Sequence, residues 1–203
     1  MPDKTRRIVV GITGASGALY ALHTIRALLA NGIQVHLVVS DYGAYVLETE
    51  TGLSLKGKAF DDGLKERFGE AAVNGNIVRY SNKDLAAEIS SGSFETDGMV
   101  IVPCSMKTLA GVAQGFAGSL IERAADVTLK EGRKLVLVPR ETPLNRIHLK
   151  NMLAASEAGA HILPAMPAFY QKPNTIADLT DFIAGRILAL FGIEAELFEP
   201  WRK

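Results

Sequence analysis

Three glycines in the segment GITGASGALY, at positions 11, 14 and 17, are spaced so that the backbone around them could bind an anion. They stand between an apolar, β-branched run and a segment of helical period. A tight turn there would direct free amides and the positive end of a helix at an anion. A phosphate ligand is the favoured interpretation, and a glycine turn without a ligand is the alternative. The dinucleotide fingerprint G-x-G-x-x-G is not matched, because Ile12 and Thr13 separate the first two glycines.

The segment TGASGALY is also close to the T-G-x-x-G-x-x-G pattern of short-chain reductases, but Tyr20 stands where the last glycine should be. The catalytic Tyr-x-x-x-Lys pair is missing as well, because Tyr80 has Lys83 three residues later and no other tyrosine has a lysine four residues later. Asp41, after the second apolar run, could hold a ribose hydroxyl, although an aspartate there is more often a helix cap. The reductase interpretation therefore fails.

Two pairs of charged residues are candidates for handling anions and protons. Arg123 and Lys130 lie seven residues apart, on one face of a predicted helix, and could hold a phosphate together. A solvated helix face is the alternative. Arg140 and Glu141 follow the run KLVLVP, where a carboxylate beside a cation could transfer a proton in a site that binds anions. A surface ion pair is the alternative there.

The single cysteine, Cys104, excludes an intrachain disulfide and a cysteine cluster for a metal. It could be a nucleophile, but no histidine is paired with it in the sequence, so we expect a packed thiol. The four histidines show no metal-ligand spacing, and we expect no metal site.

The elements that position these residues follow from an alternation of short apolar runs with segments of helical period, which is typical of βαβ units. The predicted strands are 7–12, 34–39, 77–80, 98–102, 134–138 and 160–163. The predicted helices are 18–30, 41–50, 105–114, 119–130, 148–157 and 176–191. The sequence thus predicts one α/β domain over residues 1–203, with a doubly wound, mostly parallel sheet of flavodoxin-like or Rossmann-like type. Ligands in such sheets bind beyond the carboxyl ends of the strands, where the candidate residues lie.

Composition limits the possible classes of protein. A chain of 203 residues, 48% hydrophobic and 22% charged, is typical of a globular domain and excludes disorder. The 22 basic and 22 acidic residues give no formal net charge, which argues against a dedicated nucleic-acid or anionic-membrane binder. No apolar stretch is long enough to span a bilayer or to serve as a signal peptide, so we expect a cytoplasmic protein.

Six segments, in order along the chain, resemble the bacterial flavin prenyltransferases of the UbiX/Pad1 type. These segments are GITGASGALY, VVSDYG with ETETG after it, MVIVPCSMKTLAG, LIERAADVTLKEGRKLVLVPRETP, HLKNML and LPAMPAFYQKP. Only residues 56–82 fall outside the resemblance. It implies a flavodoxin-like subunit that binds reduced FMN and transfers a dimethylallyl group from dimethylallyl monophosphate to N5 and C6 of the flavin. The prenylated FMN would serve a UbiD-type decarboxylase, in ubiquinone synthesis or aromatic acid breakdown, and relatives form homododecamers.

The resemblance also implies a set of site residues. Those implied to bind FMN are Gly14, Ala15, Ser16, Ser40, Ser105, Met106, Lys107, Thr108 and Arg140. Those implied to bind the donor phosphate, some from a neighbouring subunit, are Glu50, Arg123, Lys130, Tyr170 and Arg186.

The chemistry implied is ionisation of a carbon–oxygen bond, in which fixed Arg and Lys donors stabilise the departing phosphate without a metal. An aromatic ring such as Trp201, if the tail folds over, could stabilise the allylic cation. Glu141 or the released phosphate, with Ser16 as a relay, would remove the C6 proton. The candidate catalytic residues are therefore Ser16, Glu50 and Glu141.

Two alternatives remain. An FMN-dependent cysteine decarboxylase of the same superfamily would share the flavin loops, but it would contain P-x-M-N-x-x-M where this chain has PAMPAFY. A flavin-binding carrier without chemistry is the other alternative.

Overall fold

A computed structural model of the chain describes residues 5–70 and 76–198, which form a six-stranded sheet in the order β3-β2-β1-β4-β5-β6. All five strand pairings are parallel. The strands are β1 (Arg7–Ile12), β2 (Gln34–Val39), β3 (Ile77–Ser81), β4 (Gly98–Cys104), β5 (Lys134–Pro139) and β6 (His161–Ile162). The helices are α1 (Ala18–Ala30), α2 (Asp41–Thr51), α3 (Ala59–Phe68), α4 (Met106–Ala113), α5 (Leu120–Lys130), α6 (Arg146–Glu157) and α7 (Ile176–Leu190).

The strands are apolar along their whole length because helices cover both faces of the sheet. Alternate side chains enter two separate cores. Val10 and Val100 pack against α1 and α7 on one face, while Val9 and Ile101 pack against α4 and α5 on the other. The two helical layers are therefore separated by the sheet.

The strand order reverses between β1 and β4. The chain first proceeds from β1 to β2 and β3, and then crosses back to β4 and continues outward on the other side. In doubly wound sheets, ligands bind at the carboxyl ends of the two strands where the order reverses. The loops after β1 and β4 are consequently the place where a site is expected.

The predicted fold class is confirmed, and besides shifts of one or two residues at the ends of several elements there are three differences. Helix α3 lies in a segment for which no helix was predicted, and its Phe60 and Leu64 are fully buried. Strand β4 continues through Pro103 to Cys104, where the sequence analysis placed its end at the proline. Strand β6 has only two residues. Within the described ranges, no helix combines the length and apolar character needed to cross a membrane.

Candidate active site

The loops after β1 and β4 are tied together by Thr13, a residue that the sequence analysis did not select. Its hydroxyl donates a hydrogen bond to the Pro103 carbonyl oxygen (2.8 Å) and accepts one from the Ser105 amide (2.8 Å). The Thr13 side chain is buried, so these bonds are shielded from water. The two loops that carry most of the implied flavin residues are therefore held in one fixed arrangement.

Two glycines of the first loop are required by its geometry. A Cβ atom on Gly14 would lie 2.6 Å from the Cβ of Tyr42, so no larger residue fits against α2. Gly17 has a φ of +114°, in the left-handed region that favours glycine. The loop can therefore turn sharply into α1.

Two serines end strands and cap the helices that follow. The Ser40 hydroxyl accepts a hydrogen bond from the Gly43 amide (3.0 Å) at the start of α2. The Ser105 hydroxyl accepts one from the Thr108 amide (3.3 Å) and donates one to the Thr108 hydroxyl (3.1 Å) at the start of α4. The interpretation of Asp41 as a helix cap is wrong, because Ser40 fills that position and Asp41 is the first helical residue.

A cleft of 480 Å³ opens between these helix ends. It is lined by Gly14, Ser40, Asp41, Tyr42, Asn82, Ser105, Lys107, Thr108, Phe116, Gly118, Ser119, Ile121 and Glu122. The hydroxyls, the Lys107 ammonium and the positive end of α4 form a polar side suited to a phosphate. Tyr42 and Phe116 offer aromatic surface in the same cleft. This donor set fits a ligand with one phosphate and a flat, apolar ring, as FMN has.

The amides that the sequence analysis assigned to a phosphate are bound to a side chain of this protein. Glu50 Oε2 accepts hydrogen bonds from the amides of Gly17 (2.9 Å) and Ala18 (2.8 Å), at the start of α1. Partial burial raises the pKa of Glu50, but hydrogen bonds from Ser16 and from these amides, with the charge of Arg140, outweigh burial and hold that pKa below its ordinary value. An ionised carboxylate thus occupies the position of an anion.

Arg140 connects the ends of two strands. Its Nε atom donates a hydrogen bond to the Ser16 carbonyl oxygen (3.0 Å), so the end of β5 is joined to the loop after β1. Ser16, Glu50 and Arg140, which the resemblance assigns to two different ligands, are therefore brought together in one chain. The neighbouring Glu141 is exposed, and its carboxylate accepts a hydrogen bond from the Thr142 amide (2.9 Å). Across the described ranges no ion pair joins Arg140 to Glu141, and Glu141 is exposed to solvent.

The five implied donor residues do not form one cluster within a single chain. Arg123 and Lys130 lie on α5, where Arg123 pairs with Asp126 (2.8 Å) and Lys130 pairs with Glu131 (2.6 Å). Helix α5 packs on the face of the sheet opposite to α1 and α7.

The other implied donor residues lie on the α1 and α7 side. Tyr170 packs edge-on against Phe182 of α7, with ring centroids 6.2 Å apart, and Arg186 is an exposed residue of the same helix. Glu50 binds the start of α1, which packs against α7. Trp201, predicted to cover the site, lies outside the described residues.

Cys104 is fully buried at the end of β4, and burial raises the pKa of its thiol. It is a packed thiol, as expected. Asn82, which the sequence analysis did not select, accepts a hydrogen bond from the Ile121 amide (3.1 Å) and fixes the start of α5 beside the cleft. No sequence signal marked Asn82, because its role depends on a contact between distant segments.

Comparison with known proteins identifies the family. The flavoprotein family profile matches residues 1–188. The chain belongs to the flavoprotein family. Within it, the chain is a member of the UbiX/PAD1 group: it is 50% identical over 192 residues to the flavin prenyltransferase UbiX of Halalkalibacterium halodurans, covering 95% of this chain and 91% of that protein.

Solved structures of this flavoprotein family agree. The crystal structure of AnUbiX (PadA1) in complex with FMN and dimethylallyl pyrophosphate superposes with a TM-score of 0.88 at 44% identity, covering 98% of this chain and 99% of that one. The dodecameric FMN-dependent UbiX-like decarboxylase from Escherichia coli O157:H7 gives a TM-score of 0.85 at 44% identity, covering 97% and 100%. The epidermin biosynthesis protein EpiD from Staphylococcus aureus, at 16% identity and a TM-score of 0.55, shares the fold alone.

Proposed function

We propose that this chain is a flavin prenyltransferase, which transfers a dimethylallyl group from a phosphorylated donor to N5 and C6 of reduced FMN. The observation that carries the proposal is the cluster of Ser16, Glu50 and Arg140 beside a one-phosphate cleft, in a chain 50% identical to a UbiX flavin prenyltransferase. A cleft alone would suit a flavin carrier. The additional charged cluster supplies groups that can act on a second, phosphorylated ligand.

The flavin phosphate would be held at the starts of α2 and α4. Ser40, Ser105 and Thr108 offer hydroxyls there, and the Lys107 ammonium offers a positive charge. Gly14 lines the same cleft, and Ala15 follows it in the loop after β1, where the ribityl chain would pass. When bound, reduced FMN supplies the electron-rich N5 and C6 atoms to which the group is transferred.

The donor phosphate would be held between two copies of the chain. Tyr170 and Arg186 belong to the side of the sheet covered by α1 and α7, and Arg123 and Lys130 belong to the other side, so we assign the two pairs at one phosphate to different chains. If α5 of one copy approaches α7 of the next, the four side chains meet. Fixed cations at that point stabilise the negative charge that develops on the departing phosphate.

Proton transfer in this proposal falls to Ser16, Glu50 and Glu141. Glu50 and Ser16 are joined by a hydrogen bond, so Ser16 can relay a proton between the ligand and this carboxylate. Glu141 is exposed beside Arg140 and can receive a proton from the ligand side.

The experiment that tests the proposal is an incubation of the protein with FMN, a reductant and either dimethylallyl monophosphate or dimethylallyl pyrophosphate. The AnUbiX complex contains the pyrophosphate, so both donors are compared. We expect a mass increase of the flavin that corresponds to one dimethylallyl group. Unchanged flavin with both donors would overturn the proposal and leave a flavin carrier.

A cysteine decarboxylase is not favoured. The chain has PAMPAFY where those enzymes contain P-x-M-N-x-x-M, and EpiD resembles it in fold alone. For the product, we propose transfer to a UbiD-type decarboxylase, on the strength of the family resemblance. Addition of the reaction mixture to such an apo-decarboxylase should restore its activity, and a mixture prepared without donor should not.

A further inference from the structure

Arg133, between α5 and β5, holds the segment 90–94 that leads from β3 to β4. Its Nη1 atom donates a hydrogen bond to the Phe94 carbonyl oxygen (2.7 Å), and its Nη2 atom donates one to the Gly92 carbonyl oxygen (2.6 Å). A planar guanidinium that binds two carbonyl oxygens at once fixes their orientation as well as their position. Arg133 therefore keeps the 90–94 segment in a defined arrangement beside α5.

The 90–94 segment in turn touches the two cations of α5 that the family resemblance implies for the donor phosphate. Arg123 Nε donates a hydrogen bond to the Ser90 carbonyl oxygen (3.3 Å). Gly92 lies so close to Lys130 that a Cβ atom on it would stand 3.0 Å from Lys130 Nζ. Both cations therefore have the same segment as a neighbour.

Gly92 is required by this close approach and not by its backbone conformation. Its φ lies outside the left-handed region that favours glycine. A Cβ atom there would overlap the carboxylate of Glu131, which accepts a hydrogen bond from Lys130 Nζ (2.6 Å). That hydrogen bond and the charge of Lys130, with the charge of Arg133, lower the pKa of Glu131. The Glu131 carboxylate thus orients one of the three donors of the Lys130 ammonium and leaves two for a phosphate.

We propose that Arg133 and Gly92 are positioning residues for the donor phosphate. Arg133 fixes the 90–94 segment, and that segment fixes the directions in which Arg123 and Lys130 point. Cations that are already oriented stabilise a developing negative charge best, because they do not have to rearrange when the charge appears. This inference rests on the proposed function, in which Arg123 and Lys130 hold the donor phosphate.

The test measures binding of dimethylallyl monophosphate by calorimetry, with the full chain loaded with oxidised FMN so that binding is observed without transfer. Arg133→Ala should raise the dissociation constant of the donor about tenfold and leave that of FMN unchanged. Arg133→Lys can bond only one of the two carbonyl oxygens at a time, so its donor affinity should lie between those of Arg133→Ala and the wild type.

Gly92→Ala is a second variant that does not depend on the fold surviving the loss of Arg133. The added methyl group meets only the flexible ends of Glu131 and Lys130, so the melting temperature should stay near that of the wild type. The ammonium of Lys130 should be displaced, and the dissociation constant of the donor should rise about tenfold.

Arg79→Ala is the matched control, because Arg79 also holds two carbonyl oxygens of a loop. It donates hydrogen bonds to the carbonyl oxygens of Gly57 (2.6 Å) and Leu55 (3.4 Å), and Leu55 packs on the side of the sheet covered by α1 and α7. We expect Arg79→Ala to lower the melting temperature about as much as Arg133→Ala does, but to bind the donor as the wild type does.

A double-mutant cycle shows whether the effect passes through Lys130. In a chain that already carries Lys130→Ala, the further change Gly92→Ala should alter the dissociation constant of the donor by less than about twofold. The effect of Arg133→Ala should also be smaller in that chain, because one of the two cations that it positions is gone. Full additivity of both pairs would show that the two residues act independently of Lys130.

Three results would overturn the inference: donor binding of wild-type strength in Arg133→Ala and Gly92→Ala, equal weakening by Arg79→Ala, or full additivity with Lys130→Ala. Reduction of the flavin then separates the inference from the proposed function. If the wild type binds the donor but forms no prenylated flavin, the proposed transfer fails while the positioning stands. If the wild type does not bind the donor, the donor site and this inference fail together.

Discussion

The carboxylate of Glu50 replaces a bound anion at the first turn of α1. The amides of Gly17 and Ala18 would otherwise attract the phosphate of a ligand, as helix N-termini do in dinucleotide-binding sheets. Because Glu50 accepts their hydrogen bonds, the phosphate of the flavin is left to the starts of α2 and α4. The start of α1 is thus occupied by a carboxylate of the protein itself.

The lowered pKa of Glu50 predicts a specific dependence of stability on pH. The folded state binds a proton less readily than the unfolded state, whose carboxyl titrates near 4.5. The stabilisation is therefore complete above about pH 5.5 and is lost as the pH falls through the folded pKa. Glu50→Gln lacks this contribution, so its melting temperature should lie below that of the wild type at pH 7, and the gap should narrow below about pH 4.5. Glu48→Gln, an exposed glutamate of the same helix, is the control and should show a constant difference.

Glu141→Gln tests the assignment of Glu141 to proton transfer. The amide keeps the shape of the side chain and the hydrogen bond to Thr142, but it cannot act as a base. We expect FMN to bind normally and the rate of prenylated flavin formation to fall by about 10²- to 10⁴-fold. Glu196→Gln, an exposed glutamate near the end of the described chain, should have the wild-type rate. A normal rate for Glu141→Gln would contradict this assignment and leave the proton to Glu50 or to the released phosphate.

At the scale of elements, α7 is held by side chains at both ends of its packed face. Asp181 Oδ1 accepts hydrogen bonds from His23 Nδ1 (2.6 Å) and Arg26 (2.6 Å) of α1. Arg6 and Lys134 donate to the carbonyl oxygens of the last turn of α7 and the residue after it, where positive charge is favourable. Helix α7 carries Arg186, so these contacts fix the position of a donor residue.

Asp181→Ala should destabilise the protein by about 1.5 to 3 kcal/mol, because it leaves two partly buried donors without an acceptor. Urea unfolding monitored by circular dichroism measures the change. Glu194→Ala removes an exposed carboxylate near the end of the same helix and should alter the free energy of unfolding by less than about 0.5 kcal/mol. Equal effects of the two substitutions would contradict the role of Asp181.

The strands and most helices could be predicted from the sequence, because the apolar runs and the residues that end helices lie where the structure has them. The run at Arg7–Ile12 and the stop at Asn31-Gly32 give the bounds of β1 and α1 as the structure has them. Helix α3 was missed because glycines and mixed charges obscure its period. Phe60, Leu64 and Phe68 do recur every four residues, and this spacing was the available signal.

The resemblance implied that some donor residues come from a neighbouring subunit, but it did not say which ones, because sequence order does not state which face of a sheet a helix covers. The right-handed connection between neighbouring parallel strands does determine which face each helix covers. From β1 the chain moves along the sheet toward β2, and from β4 it moves the opposite way toward β5. The helices of these two connections, α1 and α5, must therefore cover opposite faces. The contacts of Thr13 and Asn82 depend on exact distances between loops, which no local pattern contains.

At the scale of the whole molecule, a donor site shared between copies predicts how variants of Lys130 and Arg186 behave alone and when mixed in one assembly. Lys130→Ala and Arg186→Ala should each weaken use of the donor by about 1.5 to 3 kcal/mol while FMN stays bound, because each removes one charge-assisted contact. Lys65→Ala is the control, since Lys65 also pairs with a nearby glutamate, Glu70 (3.2 Å), but lies on α3. Steady-state kinetics with varied donor concentration measure the effect.

Co-expression of the two variants then decides whether the site is shared. Suppose that Lys130 and Arg186 at one site come from different copies. A Lys130→Ala chain still has Arg186 on its α7, and an Arg186→Ala chain still has Lys130 on its α5. A random mixture then contains an intact site wherever the first chain supplies α7 and the second supplies α5. In an equal mixture this arrangement occurs at about a quarter of the sites. The co-expressed assembly should therefore recover about a quarter of the wild-type rate at low donor concentration, well above either variant alone. If both residues came from one chain, every site would carry one substitution and mixing would restore nothing.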